Sequence, residues 1–141
     1  MSIKFGADEM RCIALFESLT GATVKDCILG DDGRVIFVVR QGDLGLAIGK
    51  GGSRIRHAKK AIGRSIEVVE YSDDPATFLK NLLAPAKVRG VNIVTQGGKK
   101  IAVVDVEEQD RGLAVGRKGK NIHRAKILML RHHGIHDVTL M

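Results

Sequence analysis

The sequence of 141 residues is poor in cysteine and aromatic residues and has no long apolar run. Its two cysteines, Cys12 and Cys27, match neither a disulfide framework nor a zinc pattern. No stretch approaches the roughly 18 consecutive apolar residues of a membrane-spanning helix. Residues 1–10 lack the apolar core of a secretion signal. These absences argue against a disulfide-rich secreted fold and a membrane partner, and favour a reducing cytoplasm.

The chain does have an excess of positive charge, with 23 Lys and Arg against 16 Asp and Glu, a net charge of +7. Such a field attracts polyanions, nucleic acid first and anionic membranes second. Residues 1–74 hold 11 basic and 11 acidic groups, whereas residues 75–141 hold 12 basic and five acidic groups. The excess therefore lies in the second half of the chain.

One segment of the chain occurs twice. The 20 residues from Asp43 and the 20 from Asp110 align at an offset of 67 without a gap, and nine positions are identical. Chance would give about one or two. We therefore predict a duplicated module of about 70 residues, with domains at 1–72 and 73–141.

Each copy has the same predicted order of elements. A helical pattern precedes a hairpin, which joins 22–29 to 35–39 in the first copy and 88–94 to 101–106 in the second. The turns are 30–33 and 96–99, and terminal strands follow at 65–71 and 137–140. Asp74 before Pro75 predicts a helix start in the second copy. The order α-β-β-α-α-β predicts an α+β, layered fold in which helices cover a three-stranded sheet.

The repeated segment contains two glycine-bracketed turns, 49–52 and 116–119. Each is predicted to follow a short helix capped by Asp43 or Asp110 and to precede a longer helix from Ser53 or Lys120. A glycine pair lets two backbone segments approach without an intervening Cβ. Exposed amides at the start of the longer helix favour an anion such as phosphate.

The charges around both turns have one sign. No acidic residue occurs from 44 to 66, a stretch with six Lys and Arg, or from 111 to 136, a stretch with seven. A solvated helix face usually mixes signs, so two acid-free windows at equivalent positions favour a polyanion site. Neither window contains Phe, Tyr or Trp, which disfavours the base-stacking platforms of other RNA-binding folds.

The sequences IGKGGSRI at 48–55 and VGRKGKNI at 115–122 resemble the I-G-x-x-G-x-x-I core of the KH domain. The predicted element order is that of the type II, prokaryotic form. Two such domains closely joined resemble the tandem KH region of the NusA transcription factors, and the whole chain is similar to the short archaeal members. Bacterial members also carry a polymerase-binding domain and an OB-type domain, for which these 141 residues leave no room.

The resemblance implies that each turn holds the sugar-phosphate backbone of single-stranded RNA, with bases in an adjoining apolar groove. The implied loop residues are Gly49, Lys50, Gly51, Gly52, Gly116, Arg117, Lys118 and Gly119. The implied groove residues are Ile48, Ile55, Val115 and Ile122, for which core packing is the alternative. Further phosphate or base contacts are expected at Arg54, Arg56, Lys120 and Arg124. Ala58, Ile62, Ala125 and Met129 lie on the same helical faces and are assigned to the core.

The resemblance therefore predicts a monomeric, cytoplasmic RNA-binding protein, a NusA-like factor of transcription elongation or termination. RNA polymerase or the transcription complex is the expected protein partner. The alternative is a KH protein of ribosome assembly or a protein-interaction scaffold, which would lack cations in one loop or have acids beside it.

Other classes fit the residues less well. A P-loop fails because Leu44 occupies the required glycine position and Gly51 follows Lys50 in place of Ser or Thr. The histidines 132, 133 and 136 lie near a predicted helix end without nearby cysteines, so we favour surface histidines over a zinc site. No nucleophile motif is present. We expect no catalysis, no cofactor and no metal.

Overall fold

The computed structural model describes residues 5–30 and 32–141, so Asp31 of the predicted first turn and residues 1–4 of the predicted first domain lie outside the described residues. The chain divides between residues 72 and 73 into two compact units. The first contains α1 (Ala7–Thr20), β1 (Val24–Leu29), β2 (Val35–Val39), α2 (Leu44–Ile48), α3 (Ser53–Ile62) and β3 (Ile66–Glu70). The second contains α4 (Pro75–Leu83), β4 (Val88–Gln96), β5 (Lys99–Val106), α5 (Arg111–Val115), α6 (Lys120–His133) and β6 (Asp137–Leu140). The predicted order α-β-β-α-α-β is confirmed in both.

Each unit has one three-stranded mixed sheet, with strand order β1-β2-β3 or β4-β5-β6. The first two strands form an antiparallel hairpin, and the third pairs in parallel with the middle strand. A parallel pair needs a long crossover connection. Two helices supply that crossover in each unit, and the Gly-x-x-Gly turn lies between them, at residues 49–52 or 116–119.

The core of the first unit forms between its helices and one face of its sheet. Phe16 of α1 stacks on Phe37 of β2, with ring centroids 4.1 Å apart. The buried members of this core are Cys12, Phe16, Ala22, Cys27, Val35, Phe37, Val39, Ala47, Ala58 and Ile66. Ile62 packs against them, so the core assignments of Ala58 and Ile62 are confirmed.

The second unit buries the equivalent surfaces of α4, β5 and α6. The apolar pattern of its first helix is confirmed, since Phe78, Leu79, Leu82 and Leu83 are all buried. Ala125, Leu128 and Met129 of α6 are buried as well, which confirms the core assignment of Ala125 and Met129. None of the helices within residues 5–30 and 32–141 is long and apolar enough to cross a membrane.

The predicted helix start at Asp74 is confirmed. Its Oδ2 accepts hydrogen bonds from the Thr77 N–H at 3.2 Å and the Thr77 hydroxyl at 2.6 Å, and Pro75 opens the first turn. Both bonds favour the ionised carboxylate and lower the pKa of Asp74.

The prediction that the side chains of Asp43 and Asp110 cap the short helices is wrong. Each residue precedes its short helix, but neither side chain makes a capping bond. Asp43 Oδ2 instead accepts from the Thr23 N–H at 2.9 Å, and Asp110 Oδ2 accepts from the Lys87 N–H at 2.8 Å. The repeated aspartate therefore ties the start of the short helix to the residue before the first hairpin strand.

The second hairpin is longer than predicted. The strands continue to Gln96 and resume at Lys99, so that the turn consists of Gly97 and Gly98 alone. Both glycines have positive φ, 59° and 79°, as a two-residue type I′ turn requires.

Candidate nucleic-acid interface

Each Gly-x-x-Gly turn depends on its first glycine. Gly49 and Gly116 have φ of 75° and 77°, in the region that side chains rarely adopt. A Cβ at either position would lie 2.9 Å from the backbone nitrogen of Arg54 or Asn121 in the following helix. Glycine is therefore needed both for the turn and for the close approach of the two helices, as the sequence predicted.

A side chain from the second helix closes each turn. Arg54 Nη1 donates to the carbonyl oxygens of Thr20 at 3.1 Å and Leu46 at 3.3 Å. At the equivalent position, Asn121 Nδ2 donates to the carbonyl oxygen of Leu113 at 2.9 Å. Asn121 was missed by the sequence analysis because the two aligned residues differ in charge. Both hold the main chain of the preceding short helix.

The tips of both turns are exposed. Lys50 and Gly51 form the first tip, and Arg117 and Lys118 form the second. Gly51 has φ of 61°, and Lys118 adopts almost the same conformation with φ of 57°. Lys118 is the one non-glycine residue with positive φ in the described part of the chain. The second loop thus places a lysine where backbone strain disfavours it.

The predicted cationic contacts surround these tips. Arg56 Nη1 donates to the carbonyl oxygen of Gly51 at 2.6 Å, so its exposed guanidinium folds back over the first turn. Lys120 is exposed at the start of α6. Arg124 is half-buried, and its Nη2 donates to Asn121 Oδ1 at 2.5 Å. With Arg54, all four predicted cations therefore lie next to their loops.

The four predicted groove residues are half-buried: Ile48, Ile55, Val115 and Ile122. Ile55 packs against the first core, and the Cγ2 atoms of Ile55 and Ile122 lie 4.0 Å from where a Cβ would stand on the last glycine of their turns. Part of each side chain therefore packs in the interior, and part is exposed to solvent. The structure is compatible with both the core and the groove interpretation.

Two exposed leucines were missed by the sequence analysis. Leu46 is 41% exposed and Leu113 is 50% exposed, and they occupy the same position in the two short helices. Single exposed apolar residues are ordinary on protein surfaces. The same exposure in both copies puts an apolar side chain at equivalent positions, one turn before each cationic loop. The repeat alignment shows that both are leucine but not that they are exposed.

The loop cations have no acidic neighbours among the described residues. No Asp or Glu side chain within residues 5–30 and 32–141 pairs with Lys50, Arg54, Arg56, Arg117 or Lys118. Farther along α6, Lys126 does have an acidic neighbour, because its Nζ lies 3.2 Å from Asp137 Oδ1. The positive potential at both tips is therefore not cancelled locally.

Two of the three histidines near the end of α6, His132 and His133, contact an aromatic ring. The rings of His132 and His133 lie 5.7 and 5.6 Å from the ring of Phe78. Among the described residues, no three His, Cys, Asp or Glu side chains are grouped as a metal site would require.

Comparison with known proteins places this geometry in a family. The chain is 41% identical over 140 residues to "Probable transcription termination protein NusA" of Halobacterium salinarum, covering 99% of each chain. It is 38% identical over 141 residues to the protein of the same name from Methanococcus vannielii, covering 100% of this chain and 81% of the relative. The chain belongs to the NusA family.

The family models divide this NusA-family chain as its fold does. A KH domain model matches residues 11–73, and a model of the NusA-like second KH domain matches residues 75–135. A solved structure, the crystal structure of APE1850, is 38% identical, with a TM-score of 0.81 over 97% of this chain and 100% of that one. The tandem KH fold and the family resemblance read from the two loop sequences are confirmed.

NusA-family membership also fixes the general activity. KH domains clamp about four backbone nucleotides at the Gly-x-x-Gly loop. Two such domains make this chain an RNA-binding protein with a role in transcription.

Proposed function

We propose that this NusA-family protein holds single-stranded RNA at its two Gly-x-x-Gly loops and acts on transcription elongation or termination. The observation that carries the proposal is the repeated loop geometry. In both copies a main-chain turn presents exposed cations that no carboxylate among the described residues neutralises. The names of the full-length relatives support the transcriptional role.

The phosphate backbone should bind at the tip of each turn, beside the start of α3 or α6. A helix N-terminus favours an anion. The turn uses part of its own donors, since the Gly52 N–H bonds the Gly49 carbonyl at 3.1 Å and the Ser53 N–H bonds the Lys50 carbonyl. The side chains of Lys50, Arg117 and Lys118 should therefore supply much of the attraction.

The bases should lie along the half-buried apolar surface beside each loop. Ile48 and Ile55 would line this groove in the first domain, and Val115 and Ile122 in the second. Leu46 and Leu113 would extend it on the side of the short helix. An aliphatic groove offers shape and apolar contact rather than aromatic stacking.

The surrounding cations should contribute unequally. Arg56, Lys120 and Arg124 are the proposed outer contacts of the two sites. Arg54 should act more by positioning, because its Nη1 is already engaged with two carbonyl groups. The second domain has two cations at its tip against one in the first, so we expect it to bind RNA more tightly.

The proposal extends to partners and setting. RNA binding without an activated nucleophile favours a factor over an enzyme, so incubation with nucleotide and RNA should give no turnover. We expect a cytoplasmic monomer whose protein partner is RNA polymerase or the transcription complex.

Charge reversal at the loops tests the RNA site. Lys50→Asp with Gly51→Asp, and Arg117→Asp with Lys118→Asp, should each weaken single-stranded RNA binding by about tenfold or more, and the second pair should cost more. Gly51 has open space around its Cβ position, and aspartate tolerates positive φ. RNA titration at fixed salt gives the affinities, and circular dichroism checks the fold.

A matched control is Arg11→Glu with Lys80→Glu, which makes the same change in net charge as the Arg117 and Lys118 pair. Both control residues are exposed helix positions outside the two loops. The control variant should keep nearly all RNA affinity. Unchanged affinity in both loop variants would refute the proposed site, and an equal loss in the control would reduce it to a general charge effect.

A further inference from the structure

The two hairpins of the repeat differ at their tips. From Val24 to its strand partner Val39 the chain advances 15 residues, whereas from Val88 to its equivalent partner Val106 it advances 18. Only one of these three extra residues lies at the tip, where the second hairpin has six residues, 95–100, beyond the Val94–Ile101 pair and the first has five, 30–34, beyond the Leu29–Val35 pair. We call the segment 95–100 the arm. All six of its residues are exposed.

The arm extends beyond the body of its sheet. β6 pairs with β5 only from Ile101 onward, whereas β4 and β5 continue to pair through Thr95–Lys100 and Gln96–Lys99. Two paired rungs and the Gly97-Gly98 turn therefore project by about 10 Å. In the first domain the paired strands end at the rung where the third strand begins, because Val35 pairs with both Leu29 and Ile66. One further bond, from the Gly30 N–H to the Arg34 carbonyl at 2.8 Å, continues that hairpin.

The tips of the two hairpins differ in charge: the second is basic, and the first contains acidic residues. The arm has Lys99 and Lys100, and neither pairs with a carboxylate among the described residues. It belongs to a third acid-free stretch, residues 75–104, which contains five Lys and Arg. The first hairpin instead has Asp32 near its tip, and Arg34 there pairs with Glu67 at 2.6 Å.

The arm lies at the opposite end of α6 from the second loop. The loop precedes Lys120 at the start of α6, and three residues after His133 the His136 N–H donates to the Lys100 carbonyl at the base of the arm. α6 has 14 residues, a length of about 21 Å. A stacked single strand advances about 3.4 Å per nucleotide, so about six nucleotides would bridge this distance.

We propose that the arm is a second RNA-backbone contact of this domain, one that holds the strand after it leaves the Gly-x-x-Gly loop. Two unpaired lysines on a projecting ribbon match a phosphate backbone in charge and accessibility. This inference rests on the proposed RNA site at the loop and adds a contact that only longer RNA can reach.

The test compares two RNA lengths on the full chain. Lys99→Ser with Lys100→Ser should leave the affinity for an RNA of about five nucleotides unchanged, because that RNA fills only a loop. The same variant should weaken binding of an RNA of about 15 nucleotides by about three- to tenfold. Its salt dependence should also decrease, by about 1.4 in slope for two lost phosphate contacts on a single strand.

The controls separate this proposal from the loop proposal. Arg11→Ser with Lys80→Ser removes the same charge elsewhere and should leave both affinities nearly unchanged. Arg117→Asp with Lys118→Asp should weaken binding of both RNAs. If the loop variant loses affinity and the arm variant does not, the arm proposal is overturned and the loop site stands, and the exposed edge of β4 then becomes a candidate for pairing with a protein strand. If neither variant loses affinity, both proposals are overturned.

Discussion

At Gly49 the main chain turns with positive φ while the following helix returns within contact distance. Gly51, two residues later, also has positive φ, but no atom lies within 4 Å of its Cβ position. Gly49 is therefore required both by close packing and by its backbone conformation, whereas Gly51 is required by its conformation alone. The same contrast cannot be made in the second loop, where lysine replaces the second of these glycines.

Alanine substitution should distinguish these requirements. Gly49→Ala combines the strain of positive φ with a contact of 2.9 Å to the Arg54 nitrogen, so we expect a loss of about 2–4 kcal/mol in the free energy of unfolding. Gly51→Ala should lose only about 1 kcal/mol, because strain acts alone there. Urea denaturation measures both. Equal losses would show that the close approach of α3 does not constrain the loop.

At Lys118 a side chain is kept despite a positive φ. It keeps a cation at the loop tip in a conformation that glycine adopts more easily. Replacing it with glycine, as in the first loop, relieves that strain and removes one positive charge. The proposed RNA site would use that charge, so the strain and the RNA affinity should change in opposite directions.

We therefore expect Lys118→Gly to leave the protein as stable or more stable, by up to about 1 kcal/mol, while RNA affinity falls by about three- to tenfold. The reciprocal Gly51→Lys should raise RNA affinity and cost about 1 kcal/mol. Thermal unfolding and RNA titration of the same samples give both quantities. A Lys118→Gly protein with lower stability would contradict the strain argument.

At the scale of elements, the hydrogen bonds of Asp43 and Asp110, which we call the aspartate ties, hold the short helices against the hairpins. Asp43 is buried and joins the start of α2 to Thr23, immediately before β1, and it also accepts from Arg40 Nη2 at 3.3 Å. Asp110 makes the matching bond to Lys87. The loop follows the short helix directly, so these ties also set where the loop stands relative to the sheet.

The tie formed by Asp43 should make the stability of the protein depend on pH. The Thr23 N–H, and then Arg40, hold the pKa of Asp43 below its usual value near 3.8. The ionised carboxylate therefore stabilises the fold above that value, and the stabilisation is lost as the pH falls through the lowered pKa. Asp43→Asn should be less stable at neutral pH and should lose less stability on acidification.

Urea unfolding between about pH 2.5 and 7 measures this difference. Asp8→Asn is the matched control, since it removes an exposed carboxylate from the first domain, and it should retain the acid dependence of the parent protein. Identical pH profiles for the parent and Asp43→Asn would contradict the tie as a source of stability.

Helices, strands and loops could be predicted where their sequence pattern involves near neighbours or occurs in both copies of the repeat. The helical spacing of Phe16, the β-branched run of β2 and the Asp74-Pro75 start each depend on near neighbours, and the offset of 67 residues aligned the two loops. The Asp43 and Asp110 bonds were not predictable, because they span 20 and 23 residues of the chain and form only once the hairpin is folded. Exposure of Leu46 and Leu113 likewise depends on which face of a five-residue helix packs inward.

At the scale of the whole molecule, the two proposed RNA sites are similar and belong to one chain. Residues 72–74 join the two compact units, so the effective concentration of the second site for a bound strand is high if one RNA reaches both. Each KH site accommodates about four nucleotides. Length therefore decides whether an RNA engages one loop or two.

We expect an RNA of about four nucleotides to bind weakly, with two molecules per chain, and an RNA of about eight or more to bind with one molecule per chain and at least tenfold higher affinity. Titration calorimetry gives stoichiometry and affinity together. In the Lys50→Asp, Gly51→Asp variant the advantage of the longer RNA should shrink, because one of the two sites is lost, whereas the short RNA should still bind one site. A longer RNA that binds with two molecules per chain and no gain in affinity would show that the two loops act independently.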